Sequence, residues 1–473
     1  MLIAFRINDI PKGPKAALEA GVVGVSGEIR AEVVRGFGAS RHSHITGLGL
    51  DADGRARKIG GGLVGQEEAR EAAGVIVEMV REGRLGGRGI LIVGPPGTGK
   101  TALAIAIARE LGEDTPFVAL NAGELFRGDS GKLEMLLQAF RKAIGVRVRE
   151  RREVVEGVVT SISVSKRRTP FSPYPVIAGA RITLETKDES RTFTVGPEVA
   201  EQLVALGVRR GDVIVIDLET GVVRVVGRGK GRGQSFDIDV VREVELPEGP
   251  VRKVKEFVRT LTLHDIDASI AAQRVAFTGL LSMFEAERGV TSEDRKKTDE
   301  LVKKWVGEGK AEIVAGVIFI DDAHLLDMES FSFLSKAMES DLAPIIVLAT
   351  NRGVAKIRGT DIESPHGIPR DLLDRLLIIT TRPYTRDEIK EIIRIRADEE
   401  EVLLSENALE RLADIGSEKS LRYAIQLLEP AMIVAKRRGS RRVEAEHVEE
   451  AERLFADIKR SIQLVEKYRD LMM

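Results

Sequence analysis

The octapeptide at residues 94–101, GPPGTGKT, constrains this chain more than any other feature. It completes the pattern G-x-x-x-x-G-K-[ST], and its surroundings are those the pattern needs. Upstream, residues 90–93 (ILIV) form a short apolar run of buried-strand type; downstream, ALAIAIAREL is a helix former. The glycines let main-chain N–H groups turn inward around a β-phosphate, and the positive end of the following helix adds to that anion site. Lys100 is then placed to reach the β- and γ-phosphates, and Thr101 to ligate Mg²⁺. Gly94, Pro95, Pro96, Gly97, Thr98, Gly99, Lys100 and Thr101 are therefore the candidate nucleotide loop, with ATP or ADP and Mg²⁺ as its ligands. A chain built around this element belongs to the α/β class.

Such a loop needs acids at the end of a second strand. Residues 317–327, VIFIDDAHLLD, supply them, because four apolar residues end on Asp321 and Asp322. Asp321 is the candidate Mg²⁺ ligand, directly or through water, and Asp322 the candidate orienter of the attacking water. A paired aspartate at a strand end can also be a solvated turn; the phosphate loop favours the catalytic reading. A third strand at residues 345–348 runs into ATNRG. Asn351 could hold the attacking water or the γ-phosphate by its amide without adding charge, or simply cap a strand-to-loop turn.

Composition narrows the class further. At 473 residues the chain has room for two to four domains and a large core. Charged residues make up 31% and hydrophobic ones 43%, so it reads as globular, and a net charge of −2 gives no global push toward nucleic acid or membrane. Zero cysteines exclude disulfides, thiolate metal sites and cysteine nucleophiles. Scarce Asn and Gln beside abundant Glu, Lys and Arg fit a thermophile's profile. No apolar run approaches the length of a membrane span, and MLIAFRINDIPKGPK lacks a long apolar core with a cleavage site, so a cytoplasmic location is expected.

Several long stretches now match one family. GPPGTGKTALA, TPFVALNAGELF, FIDDAHLLDMESFSFLSKAMESDLAPIIVLATNRG, SPHGIPRDLLDRLLII and EKSLRYAIQLL resemble the RuvB-like AAA+ ATPases of the pontin/reptin family, and within it an archaeal, thermophilic member. The resemblance runs from about residue 42 to the C-terminus. It implies a homo-hexamer or double hexamer with ATP between subunits. On that basis Arg375, in LLDRLL, is the arginine finger that reaches a neighbour's γ-phosphate, and Arg422, in SLRYA, is the sensor 2 arginine. RHSHITGLGL resembles the segment over the nucleotide base, making His42, His44 and Ile45 candidate contacts. Val64 and Gly65 in GLVGQ, with Tyr384 in RPYT, resemble other elements of the adenine pocket. The two histidines alone, with no further ligand nearby, do not make a metal site. One departure stands out: members usually carry Asp-Glu-x-His where this chain has Asp321, Asp322, Ala323 and His324.

Lys100 and Asp321 lie 221 residues apart, too far for an uninterrupted core of this type. The expected organisation is an AAA+ P-loop core at 41–126 and 296–382, an insertion at 127–295 and a C-terminal helical lid domain at 383–473. Within the insertion, residues 146–259 read as five short alternating strands, and an OB-like β-barrel fits them. LHDIDASIAAQ and SEDRKKTDELVKKWVGEGKAEI read as helices, and SENALERLADIG as a helix from Ser405 to Gly416. Residues 1–40 are expected to be an N-terminal extension, whose first 25 or so residues are either a short extra element or a region before a later translation start.

The insertion carries basic runs: RKAIGVRVRERR where it begins, KRR at 166–168 and GRGKGRG at 227–233. With Phe171, Tyr174, Phe193 and Phe236 as candidate stacking residues, it could bind single- or double-stranded DNA without reading sequence; a solvated charged face is the alternative. Two functions follow. One is a DNA helicase or translocase motor for nucleoprotein remodelling. The other is an ATP-switched scaffold or assembly chaperone for partner proteins.

Overall fold

The computed structural model describes residues 42–112, 114–126, 131–167, 176–229, 243–278, 289–340 and 342–467. The extension at 1–40 lies outside these residues. So do Arg168, Phe171, Tyr174, Phe236 and residues 230–233 of the glycine-spaced basic run. The chain divides into two compact units: residues 146–261 with 265–312, and the described part of 27–145 with 262–264 and 313–473.

The second unit is built on five short strands: β1 (Gly89–Val93), β2 (Phe117–Asn121), β3 (Val317–Asp321), β4 (Ile345–Thr350) and β5 (Leu376–Thr380). They pair in the order β5-β1-β4-β3-β2, and every pairing is parallel. Strands buried on both faces read as unbroken apolar runs, which is why ILIV and VIFI carry no polar alternation. Successive side chains still go to opposite faces. Ile90, Ile92, Phe319 and Val347 pack with α1 (Glu67–Arg81) and α2 (Lys100–Leu111) through Val77, Leu103 and Ile107. Leu91, Ile318, Ile320 and Leu348 pack on the other side with Leu136 and Phe140 of α3 (Lys132–Lys142) and Phe331 of α4 (Met328–Met338). Because β4 lies between β1 and β3, three strand ends open side by side on one edge of the sheet. In parallel α/β sheets that edge is where ligands bind.

The same unit ends in helices with a core of their own: α5 (Arg386–Glu399), α6 (Glu406–Glu418), α7 (Leu421–Gln426), α8 (Leu428–Arg437) and α9 (Ala445–Leu454) bury Ile393, Leu412, Ala424, Leu428 and Ala451 together. Thr385, Ser405 and Ser420 cap α5, α6 and α7, each accepting a main-chain N–H three residues on. Gly416 does not end its helix as the sequence reading expected; α6 runs on to Glu418. A Cβ on Gly416 would stand 2.7 Å from Cγ2 of Ile389, so the glycine serves close packing of α6 on α5.

In the first unit the strands follow the path Glu243–Val244, Val223–Gly229, Asp212–Asp217, Ile144–Arg167, Val176–Glu185, Ser190–Val195, and Arg252–Thr262 also pairs with the long Ile144–Arg167. Register shifts at Val159/Ser161 and Ser165/Lys166 bend that 24-residue strand. Val155, Val159, Ile182, Leu184 and Ile214 form its core with Leu203 from the helix Pro197–Ala205. Three of the arginines where the insertion begins have carboxylate partners within the unit: Arg147 and Arg149 share Glu312, and buried Arg152 bonds Asp217 at 3.0 Å. The helix expected over 292–313 stops at Gly307, and Ala311–Ala315 is a strand. Gly309, at φ 68°, makes the turn between them.

Candidate nucleotide site

The phosphate loop joins β1 to α2. Gly99 caps that helix in the left-handed region (φ 81°, ψ 19°), and a Cβ there would stand 2.4 Å from the Tyr384 hydroxyl oxygen, so glycine is required twice over. Lys100 is buried, and its ammonium donates to the main-chain oxygens of Gly94 (3.0 Å) and Pro95 (2.8 Å). Burial lowers its pKa; Asp321 and Asp322 oppose that shift, and Arg422 adds to it. The loop lysine, the acid pair and the lid arginine of α7 thus share one electrostatic field.

Asp321 ends β3. One of its oxygens accepts the N–H of Asp322 at 2.9 Å, and burial raises its pKa, with Asp322 adding repulsion and Lys100 and Arg422 countering it. Asp322 sits in the left-handed region (φ 52°, ψ 41°), which aspartate tolerates better than most residues. Its carboxylate accepts from Nδ2 of Asn121 at 3.2 Å; the Asn121 carbonyl oxygen accepts the Gly123 N–H at 2.8 Å, which orients the amide. Asn121 is a site residue that sequence reasoning missed. It lies opposite Asp321 only because β2 pairs with β3. Asn351 follows β4, which lies between β1 and β3, with its side chain exposed.

The oxygens present suit a small hard cation. The hydroxyl of Thr101 and the second carboxylate oxygen of Asp321 make no hydrogen bond among the described residues. No cluster of three or more His, Asp or Glu able to hold a metal occurs among those residues.

A second pocket adjoins the loop, lined by Leu63, Val64, Gln66, Arg70, Thr98, Gly99, Leu103, Thr381 and Tyr384. Val64 and Tyr384 thus line one pocket, and burial pushes the Tyr384 phenol up to about 12. Gly65 lies against α5, where a Cβ would stand 2.2 Å from the Glu388 carboxylate. His42, His44 and Ile45 do not line this pocket: Ile45 is buried in the core with α1 and α2, and the two imidazoles stand 6.2 Å apart. Burial lowers the pKa of His44.

Two further connections were not visible in the sequence. The hydroxyls of Thr98 and Thr381 are 2.7 Å apart, and the Gln66 amide accepts the Arg382 N–H at 3.1 Å while donating to its carbonyl. The loop is thereby tied to the segment that leads into the lid. Arg70, 1% exposed, spends its five N–H donors on five main-chain oxygens, those of Leu48, Gly49, Arg57, Gly60 and Gly65. Arg70→Met should remove a bond from each of the five carbonyls, of which Gly49 keeps the Arg57 N–H, and lower unfolding free energy by about 3 kcal/mol or more. Arg70→Lys should not restore it, since an ammonium cannot present that fork. Urea denaturation is the check, and wild-type stability in either variant would show the clasp to be dispensable.

Arg375 stands apart. Its carbonyl accepts the N–H of Gly89, at the start of β1, whereas the phosphate loop follows the other end of that strand. Five strand residues separate the two by roughly 16 Å. Its half-exposed guanidinium pairs with Glu339.

A parallel sheet in this strand order, with a phosphate loop, an acid pair and a helical lid arginine at one edge, defines a P-loop nucleotide-binding protein of the AAA+ class. The family model for the TIP49 P-loop domain matches residues 38–387, and that for the TIP49 AAA-lid domain matches 392–457. The chain belongs to the TIP49 family, the RuvB-like AAA+ proteins.

Proposed function

We propose that this protein hydrolyses ATP in a homo-hexameric ring, single or stacked, with each site completed by a neighbouring subunit. The observation that carries this reading is the position of Arg375, at the end of β1 remote from its own phosphate loop. In a ring the same residue can face the loop of the next subunit and stabilise charge on the transferring phosphoryl group. Lys100 and the loop amides hold the phosphates, Thr101 and Asp321 the Mg²⁺, Asp322 orients the water, and Asn351 and Arg422 read the γ-phosphate.

The proposed domain division follows the expected one: core at 41–126 and 296–382, insertion at 127–295, lid at 383–473, extension at 1–40. An OB-like insertion is supported by its connectivity, with one long strand shared between Val176–Glu185 and Asp212–Asp217 and a helix before the latter. The work done is that of a helicase-like motor on DNA or nucleoprotein, in an archaeal, thermophilic cytoplasm where ATP is at hand. No helix among the described residues is long and apolar enough to cross a membrane. The scaffold reading has one observation in its favour: Arg147, Arg149 and Arg152 are already paired with carboxylates, which leaves less uncompensated charge for a phosphate backbone.

Phosphate release with and without single-stranded or duplex DNA separates the two. A motor should turn over several-fold faster with DNA, and the gain should fade steeply with salt. Turnover indifferent to DNA, with no salt-sensitive binding, would leave the scaffold reading in place.

A further inference from the structure

The exposed carboxamide of Asn351 makes no hydrogen bond among the described residues. Its aim is therefore set by the main chain of residues 350–352, and that turn is held from two sides. Thr350 is fully buried; its hydroxyl accepts the Arg352 N–H at 3.2 Å and lies 3.3 Å from Nδ1 of His324. On the other side, Nδ1 of His366 donates to the Arg352 carbonyl at 2.8 Å. His324 comes from the short 3-10 turn Ala323–Leu325 that directly follows the acid pair. Its Cβ is 3.2 Å from where a Cβ on Gly367 would stand, and Gly367 is at φ 67°, which side chains rarely adopt, so the base of His324 packs closely on a glycine position.

The proton count in this contact is restrictive. A hydroxyl whose oxygen already accepts from Arg352 has one proton to give, and Nδ1 of a neutral imidazole is its acceptor. A protonated His324 would turn a second donor on the same oxygen and leave the buried Thr350 proton without a partner. Burial keeps the His324 pKa below its ordinary value, with Arg352 assisting and Asp322 and Asp321 opposing. The neutral ring is thus the form that fits.

We propose that His324 is a positioning residue, which fixes the turn aiming Asn351 through the Thr350 hydroxyl and so couples the acid-bearing end of β3 to the end of β4. The proposal rests on the reading of this site as an ATPase. It separates His324 from general-base chemistry, because what matters is an acceptor at the Nδ1 position.

The test uses the full chain and single substitutions. An asparagine oxygen falls near the Nδ1 position and a glutamine oxygen near Nε2. His324→Asn should keep most of kcat, while His324→Gln and His324→Ala should lose about tenfold, with the Kd for a fluorescent ATP analogue within about twofold of wild type. Thr350→Val, nearly isosteric, should show the same loss, and Thr350→Ser should not. Combining His324→Ala with Thr350→Val should cost no more than either alone. Wild-type kcat in His324→Ala or Thr350→Val, or losses that multiply in the double variant, would overturn the proposal. A wild-type chain without any turnover would instead overturn the ATPase reading itself.

Discussion

Asp322→Asn is expected to reduce ATP turnover by about 10²- to 10⁴-fold while leaving nucleotide affinity near wild type. The substitution is isosteric, and Asn121 can still donate to the remaining carbonyl oxygen. What is lost is the carboxylate that accepts a proton from the attacking water. Lys100, Thr101 and Asp321, the groups proposed to hold the phosphates and Mg²⁺, are untouched, and removing the Asp322 charge takes away a repulsion on Asp321. Single-turnover phosphate release beside fluorescent-nucleotide titration checks both halves; unchanged turnover would remove Asp322 from the role of base. The reverse substitution addresses the family's usual glutamate. Aspartate is shorter by one methylene, about 1.5 Å, and a 1 Å misplacement can cost on the order of 10²-fold. Asp322→Glu should therefore speed hydrolysis, by about tenfold, with the gain held down because glutamate is less at ease at φ 52°. No gain would mean that the backbone already delivers the shorter carboxylate to the water.

The second large effect concerns the proposed ring. Arg375→Ala should cost about 10³-fold in kcat, the scale of an arginine finger, with ATP binding preserved. Its own phosphate loop is too distant to feel the loss, so the defect should be complemented by another chain. Asp322→Asn supplies a normal finger and Arg375→Ala a normal acid pair. In a random equal mixture, roughly a quarter of the interfaces would hold both intact halves and recover that share of wild-type turnover. An inactive mixture of ring-forming variants would place Arg375 outside the neighbour's site. Wild-type turnover in Arg375→Ala would reduce it to the partner of Glu339 seen on the surface.

Much of the site was legible because its chemistry is local. A phosphate loop needs consecutive residues, and an acid pair needs a strand directly before it, so Lys100, Thr101, Asp321 and Asp322 could be nominated from local sequence. Asn351 could be nominated from the strand it follows, without knowing what holds it. The helical lid was legible from amphipathic periodicity and from the serine that opens SENALERLADIG, which are short-range signals. Boundaries were less so. Gly416 reads as a helix stop by propensity, but Ile389 on the facing helix leaves no space for a side chain there. The basic run at 141–152 reads as a free cationic patch until the fold sets Arg147 and Arg149 beside Glu312 and Arg152 beside Asp217.

The sequence by itself determined the class of this protein: a nucleotide loop in context, its acids, an interrupted core and a family. Each of those rests on neighbours along the chain, or on long stretches read as a whole. Only the tertiary structure decided which distant residues complete the site. The parallel order β5-β1-β4-β3-β2 brings Asn121 to Asp322, sets Thr350 beside His324, and carries Arg375 to the far end of β1. The folded chain also turns Arg70 inward onto five carbonyls, where an arginine on an otherwise ordinary helix gives no sign of what it holds. Register and strand order are fixed by the burial of both sheet faces at once, a sum over contacts between segments hundreds of residues apart, and no local pattern encodes that sum.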